Sequence, residues 1–370
     1  MPVKKSNNMD FTLLITILIL LAIGVAMVFS ASSISSQLKF QDKYFFLKSQ
    51  GLYAILGIVV MLFLSKVNYK VLGKFAPLMI VVSIVLLLLV FVPGIGLRLN
   101  GALRWIKIGP MTMQPSEIAK FAMILFMAKS ISNKKDKIRT FTQGVVPYII
   151  LMGIFCFLII LEPNKSMAMI FVLITFTMLF AAGAKFWHLA VWGLPLLPGA
   201  LYIFMKDKYS LLRITSYMDP WADPLKSGYQ AIQSLLALGS GGIFGLGLGN
   251  SRQKFFYIPE PQNDFIFSII GEELGFIGTF TIIILFLLLI WRGIRIAIHA
   301  PDSFGCLLAT GIVAMVSIQV ILNIAVATVS IPTTGVSLPF ISSGGTSLLF
   351  MMANMGILLN ISKHIKTIGS

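Results

Sequence analysis

Apolar residues run almost unbroken along this chain for about 20 positions at a time, with polar residues gathered in the gaps between runs. The runs fall at about 11–31, 48–65, 76–94, 115–131, 144–162, 167–183, 188–205, 265–290, 303–328 and 347–362. A helix rises ~1.5 Å per residue, so a run of about 20 residues crosses a hydrocarbon core of ~30 Å. The runs are continuous, without the two-residue alternation of barrel strands. In lipid every backbone N–H and C=O must find its partner inside the protein, and a continuous apolar run does so as a helix. The pattern predicts an all-α polytopic membrane protein: ten transmembrane helices forming a single integral membrane domain over 1–370, with a large extracytoplasmic loop at 206–264 between spans seven and eight.

Composition excludes a soluble domain, since 57% of residues are hydrophobic and 11% charged. The first run follows Lys4 and Lys5 and ends near Ala31, Ser32 and Ser33, which resembles a secretory signal. It is longer than an h-region of ~7–15 residues, so a retained first helix is expected. An even number of spans puts both termini on one side. The lysines and arginines of the short loops and tails on that side, Lys66, Lys70, Lys74, Lys134, Lys137, Arg139 and Lys363 among them, predict cytoplasmic termini. The opposite side also carries cations, several of them in the long 206–264 segment, where they count for less in orientation. The net charge of +16 leaves an outer face that suits anionic headgroups or an anionic substrate such as a lipid pyrophosphate.

Chemistry is expected in the gaps. Residues 101–120, G-A-L-R-W-I-K-I-G-P-M-T-M-Q-P-S-E-I-A-K, alternate basic and apolar positions before Pro115 opens a helix with Glu117 in its first turn. Glu117 and Lys120 stand three apart, so on a helix they are neighbours. The 206–264 segment holds Arg213, the turn-rich D-P-W-A-D-P-L-K-S-G-Y-Q and the glycine-rich G-S-G-G-I-F-G-L-G-L-G-N. That glycine run follows no strand and ends in no Walker lysine-serine, so it reads as a tight turn with close helix approach, and neither a nucleotide nor a nucleic acid is an expected partner. Four of the 13 acidic residues, Glu260, Asp264, Glu272 and Glu273, lie in P-E-P-Q-N-D-F-I-F-S-I-I-G-E-E-L-G at 259–275. Asp264 falls at the membrane boundary, where it meets a lipid-linked substrate while staying hydrated. Glu272 lies ~12 Å deeper along a helix, so Glu272 and Glu273 are expected to hold helices together or tune the cavity. Glu162 is a further acid near membrane depth.

Finally, P-T-T-G-V-S-L-P-F-I-S-S-G-G-T-S at 332–347 is polar and irregular between two spans, which is tolerated where protein buries it or it lines a cavity. Its Ser342, Ser343, Gly344 and Thr346 offer hydroxyls and N–H groups that suit an anion. Cys156 and Cys306 read as buried small hydrophobes, and His188, His299 and His364 are scattered without metal-ligand spacing, so no protein-built transition-metal site is expected.

Taken in order, N-G-A-L-R-W-I, Q-P-S-E-I-A-K, D-P-W-A-D-P-L-K-S-G-Y-Q, G-L-G-L-G-N-S-R-Q-K, P-E-P-Q-N-D-F-I-F with G-E-E-L-G, and P-T-T-G-V-S-L-P-F-I-S-S-G-G-T-S resemble the SEDS family (shape, elongation, division and sporulation), and lie closer to its FtsW and SpoVE branch than to RodA. The resemblance implies a peptidoglycan glycosyltransferase that polymerises lipid II on the outer face of a bacterial cytoplasmic membrane, with a class B penicillin-binding protein as partner. It implies Asp264 as the essential aspartate, the Glu117–Lys120 pair on the fourth span and Arg104 before Trp105 as substrate-binding residues. No cofactor is evident, although the implied pyrophosphate chemistry leaves room for a divalent cation. The chain departs from the family pattern at Asn164 and Lys165, where many relatives have an aspartate followed by a glycine-threonine run, and at Leu103, where many have a basic residue. A flippase for the same lipid or a non-catalytic scaffold of the wall-synthesis complex are the alternatives.

Overall fold

The computed structural model describes residues 4–5, 9–99, 101–109, 111–206, 208–255 and 257–367. Asn100 and Pro110, which belong to the quoted motifs, lie outside them. In chain order the elements are β1 (Lys4–Lys5), α1 (Phe11–Phe40), α2 (Phe45–Leu64), α3 (Tyr69–Leu72), α4 (Ala76–Leu89), β2 (Gly96–Leu99), β3 (Ala102–Ile108), β4 (Met111–Met113), α5 (Pro115–Lys134), α6 (Val146–Leu161), α7 (Lys165–Ala181), α8 (Phe186–Lys206), α9 (Lys208–Met218), α10 (Tyr229–Ser240), α11 (Ile266–Ile298), α12 (Ser303–Ala327), α13 (Gly345–Ser362) and β5 (Lys366–Thr367). Each of the ten apolar runs coincides with a helix. Six of these helices are long and apolar enough to span a membrane by length and composition, and α4 and α7 are shorter apolar helices.

Asp10 and Asp302 cap α1 and α12, accepting from Leu13 N at 2.9 Å and Gly305 N at 2.8 Å. Asn164, the departure from the family pattern, caps α7 by accepting from Met167 N at 3.3 Å. Asn and Asp cap helices about equally well, so the local fold survives the loss of the acid.

Both termini sit at one end of the bundle. β1 pairs antiparallel with β5, Asp10 N donates to Ser362 Oγ at 3.1 Å, and Arg292 Nη2 reaches Asp10 Oδ2 at 2.6 Å. At that end Tyr69 OH donates to Asp302 Oδ2 at 2.7 Å, and Lys70 Nζ joins the same oxygen at 2.9 Å.

The opposite end carries the elaborations. β2, β3 and β4 form a three-stranded antiparallel meander with a bulge between Leu97 and Arg98. The 206–264 segment, expected as one loop, contains α9 and α10. Residues 328–344 fold back into the bundle with Val336, Leu338, Phe340 and Ile341 buried.

Gly24 of α1 lets that segment in. A Cβ there would stand 2.3 Å from the Phe340 carbonyl oxygen, and Phe340 itself is held at φ +65°. Gly24→Ala is therefore expected to destabilise the fold by about 1–3 kcal/mol through overpacking, because the obstructing atom is backbone. Thermal unfolding of the purified protein in detergent checks this, and an unchanged midpoint would show that the segment is loosely seated.

Candidate functional site

Asp264 stands two residues ahead of α11, outside the span, in a stretch whose backbone carbonyls are held from α12 and from residues 342–343. Asn323 of α12 donates Nδ2 to the Asp264 carbonyl at 2.9 Å and to the Val336 carbonyl at 2.8 Å. Ser342 Oγ accepts from Leu338 N at 2.8 Å and donates to the Asn263 carbonyl at 2.7 Å. Ser343 N donates to the Gln262 carbonyl at 2.8 Å. From α2, Gln50 donates Nε2 to the Ser342 carbonyl at 3.3 Å and accepts from Gly344 N at 3.4 Å. Thr346 Oγ1 reaches the Thr112 carbonyl of β4 at 3.5 Å. Each of the residues expected to cradle an anion, Ser342, Ser343, Gly344 and Thr346, engages a protein acceptor or donor, and in this arrangement they act as struts that set the approach to Asp264. Gly335 lies beside the carboxylate, where a Cβ would be in ordinary van der Waals contact with Asp264 Oδ2 at 3.5 Å.

Burial pushes the Asp264 carboxyl up to about 6. Arg213 opposes that shift, Glu260 adds to it, and Arg104 opposes it again. Arg213, on α9, donates Nη1 to the Thr333 carbonyl at 2.9 Å, which ties the 206–264 segment to the refolded 328–344 segment across the site. Glu260 accepts from Asn263 Nδ2 at 2.9 Å.

Arg104 arrives by strand periodicity. Successive side chains of a strand face opposite sides, so Arg104 shares the face of Ala102 and Ile106, both of which are buried. The antiparallel register Leu97↔Trp105 and Ile106↔Met113 holds that face inward.

Lys120 lies inside the bundle beside Glu117, as their spacing predicts. It is 1% exposed on α5 and pairs with Glu117, with Nζ at 3.1 Å from Oε1 and 3.0 Å from Oε2. The charges that bear on Asp264 are Arg213, Glu260 and Arg104.

Glu272 and Glu273 form a separate buried cluster deeper in α11. Glu273 oxygens accept from Ser30 Oγ at 2.7 and 2.6 Å, Ser251 N at 3.2 Å and Lys254 Nζ at 3.1 Å. Glu272 accepts from Arg252 N at 2.8 Å, Gln253 N at 3.3 Å and Ser251 Oγ at 2.5 Å. The glycine-rich run clasps the same place: Leu246 N and Gly247 N donate to the Glu272 and Glu273 carbonyls at 2.9 and 3.0 Å. Those carbonyls are released because α11 is broken at Gly275, which has φ +66° and ψ −163°, and such breaks follow loss of the i→i−4 ladder.

Two residues of the site are absent from the sequence reading. Asn323 and Gln50 are buried amides in apolar helices, and a polar amide inside a span is a signal that marks them. Glu162, noted only as an acid near membrane depth, is 0% exposed at the α6–α7 turn, and its two carboxyl oxygens have no hydrogen-bond partner among the described residues. Burial pushes it up to about 8, with Arg104 opposing. Arg104 therefore stands in the field of both Glu162 and Asp264.

The FTSW_RODA_SPOVE family model, described as "Cell cycle protein", matches residues 11–367. The chain is 46% identical over 360 residues to "Stage V sporulation protein E" of Bacillus subtilis (strain 168), covering 97% of this chain and 98% of the relative. It is 44% identical over 363 residues to "Probable peptidoglycan glycosyltransferase FtsW" of Geobacter sp. (strain M18), covering 98% and 99%. Its fold is similar to a solved chain described under "Structural coordination of polymerization and crosslinking by a peptidoglycan synthase complex", with a TM-score of 0.79 at 27% identity over 96% of this chain and 97% of that one. It is also similar to the rod shape determining protein RodA of Thermus thermophilus, with a TM-score of 0.70 at 25% identity over 97% and 98%.

Proposed function

Because the chain belongs to the FtsW/RodA/SpoVE family of cell cycle proteins, we propose that it is a peptidoglycan glycosyltransferase that polymerises lipid II, with Asp264 as its general base. The single observation that carries the reading is the setting of Asp264: a carboxylate raised toward neutrality by burial, fixed through Asn323 and Ser342, and flanked by Arg213 and Arg104. A base works best with a pKa near operating pH, and a carboxylate at its ordinary value is too weak.

The 4-hydroxyl of the acceptor sugar attacks the anomeric carbon of the donor. The new C–O bond forms as the bond from that carbon to the pyrophosphate oxygen breaks, and the configuration inverts. Asp264 takes the hydroxyl proton. The bond electrons leave on the lipid pyrophosphate, whose growing charge Arg104 and Arg213 stabilise from fixed positions. The orientation that fits is an outward-facing site with both termini in the cytoplasm, supported by the pairing of β1 with β5 at the end opposite Asp264.

A class B penicillin-binding protein is the partner that fits this product, because a bare glycan strand still has to be crosslinked. The similar proteins include a stage V sporulation protein and an FtsW, so the product fits spore cortex or division septum.

Reconstitution tests the reading. Purified protein in vesicles, with its partner and lipid II, is expected to yield glycan strands resolvable by gel electrophoresis. Lipid translocation without strands would favour a flippase in its place. Partner binding with neither outcome would favour a scaffold.

A further inference from the structure

We propose that Glu162 is a positioning residue for this reaction: its charge state decides how much of the Arg104 guanidinium is left to bind the anionic substrate beside Asp264. The proposal rests on the transferase reading for what that anion is.

The geometry is unusual for a carboxylic acid. Glu162 is fully enclosed at the turn between α6 and α7, and among the described residues neither oxygen has a hydrogen-bond partner. Buried carboxylates are costly unless paired or hydrogen-bonded, and otherwise take up a proton. The neighbouring acids show the contrast. Glu117 has Lys120, Glu272 has the N–H groups of Arg252 and Gln253, and Glu273 has Ser30 and Lys254.

The charged group that bears on Glu162 from another element is Arg104 of β3. Its own following helix brings Lys165 to the first position of α7, three residues on. Arg104 also bears on Asp264. One guanidinium therefore answers to two acids, Asp264 at the reacting centre and Glu162 at the α6–α7 turn.

With Glu162 protonated, its carboxyl sets no negative charge against Arg104, and the guanidinium's charge acts more fully on Asp264 and an incoming anion. With Glu162 ionised, the guanidinium is shared between two carboxylates, and an incoming pyrophosphate meets both a weaker cation and an extra negative charge. Substrate affinity then falls as pH rises through the Glu162 titration near 8. The window is distinct from the other groups involved. Asp264 titrates near 6, and phosphoryl groups also titrate near 6, while both arginines stay charged throughout.

Equilibrium binding of a short-chain polyprenyl pyrophosphate to the full-length protein in nanodiscs tests this between pH 7 and 9. Wild type is expected to lose affinity several-fold over that range, and Glu162→Gln, which carries no ionisable group, less than twofold. Glu162→Asp keeps an ionisable group on a shorter stem, so it is expected to keep a pH dependence with a displaced midpoint. It also serves as the reporter if Glu162→Gln fails to fold. The proposal is overturned if Glu162→Gln tracks wild type across the range, if wild type binds equally at pH 7 and 9, or if Glu162→Asp loses the dependence altogether. These failures differ from failure of the transferase reading, which is absence of pyrophosphate binding by wild type at pH 7 together with absence of strand synthesis.

Discussion

Asp264→Asn is expected to abolish strand synthesis while leaving the protein no less stable. Loss of a general base lowers the rate by about 10²–10⁴. Asparagine is close to aspartate in volume and keeps the backbone carbonyl that Asn323 holds at 2.9 Å, so the scaffold of the site stays. The stability expectation follows from the sign of the shift. Burial raises the Asp264 carboxyl to about 6, above its unfolded value, so its contribution to stability is present at low pH and lost as pH rises through about 6. Above that pH the folded state carries an ionised carboxylate in a desolvated place, and asparagine removes the penalty. A dead variant whose thermal midpoint at pH 7.5 equals or exceeds that of wild type therefore separates chemistry from folding. Wild-type turnover is also expected to rise with pH along an acid limb centred near 6, because the base acts only when ionised. A variant that polymerises lipid II at the wild-type rate would remove Asp264 from the role of base, and an acid limb near 4 would show that the carboxyl is not desolvated during turnover.

The ten spans were legible because the apolar runs are long and continuous, and that is the signal least dependent on tertiary context. The site was legible only in part. Asp264 stood out because an acid at a span boundary is rare, and the i,i+3 spacing foretold the Glu117–Lys120 pair. The direction of Arg104 follows from strand alternation, but the basic-apolar pattern alone does not say which face meets the protein. The struts could not be read at all: Ser342, Ser343 and Gly344 have the chemistry of an anion cradle, and only the return of the 328–344 segment against Gln262, Asn263 and Gln50 shows where their donors go. The same holds for 206–264. Its length suggested a functional loop, while the anchoring of its glycine-rich part by the Glu272 and Glu273 backbone carbonyls depends on the helix break at Gly275. Pairwise spacing along one helix is visible in a sequence, whereas a donor and an acceptor 243 residues apart, such as Ser30 and Glu273, are not.

Lys254→Met is expected to be the most destabilising single change away from the chemistry, by about 3–5 kcal/mol, since removing one partner of a buried pair strands the other. Lys254 is 4% exposed, and its Nζ meets Glu273 at 3.1 Å and also donates to the Gly249 carbonyl. Glu272 lies next along the same helix, so this lysine is the cation for a site that holds two carboxyl groups. Methionine fills the space of the stem and leaves the acids to each other. The backbone N–H groups of Ser251, Arg252 and Gln253 remain, but without the lysine they gather around uncompensated charge. A double-mutant cycle with Glu273→Gln makes the cause testable. If the stranded charge is what destabilises Lys254→Met, the double variant recovers a large part of the lost thermal stability, because an amide accepts from Ser30 and Ser251 at no ionic cost. Strict additivity of the two changes would mean that Lys254 acts by packing alone. The consequence for function runs through the backbone: the clasp grips α11 at the Gly275 break, and the same helix begins two residues after Asp264. Lys254→Met is therefore expected to lower strand synthesis at temperatures where the protein is still folded, with Lys254→Met/Glu273→Gln restoring it in parallel with stability.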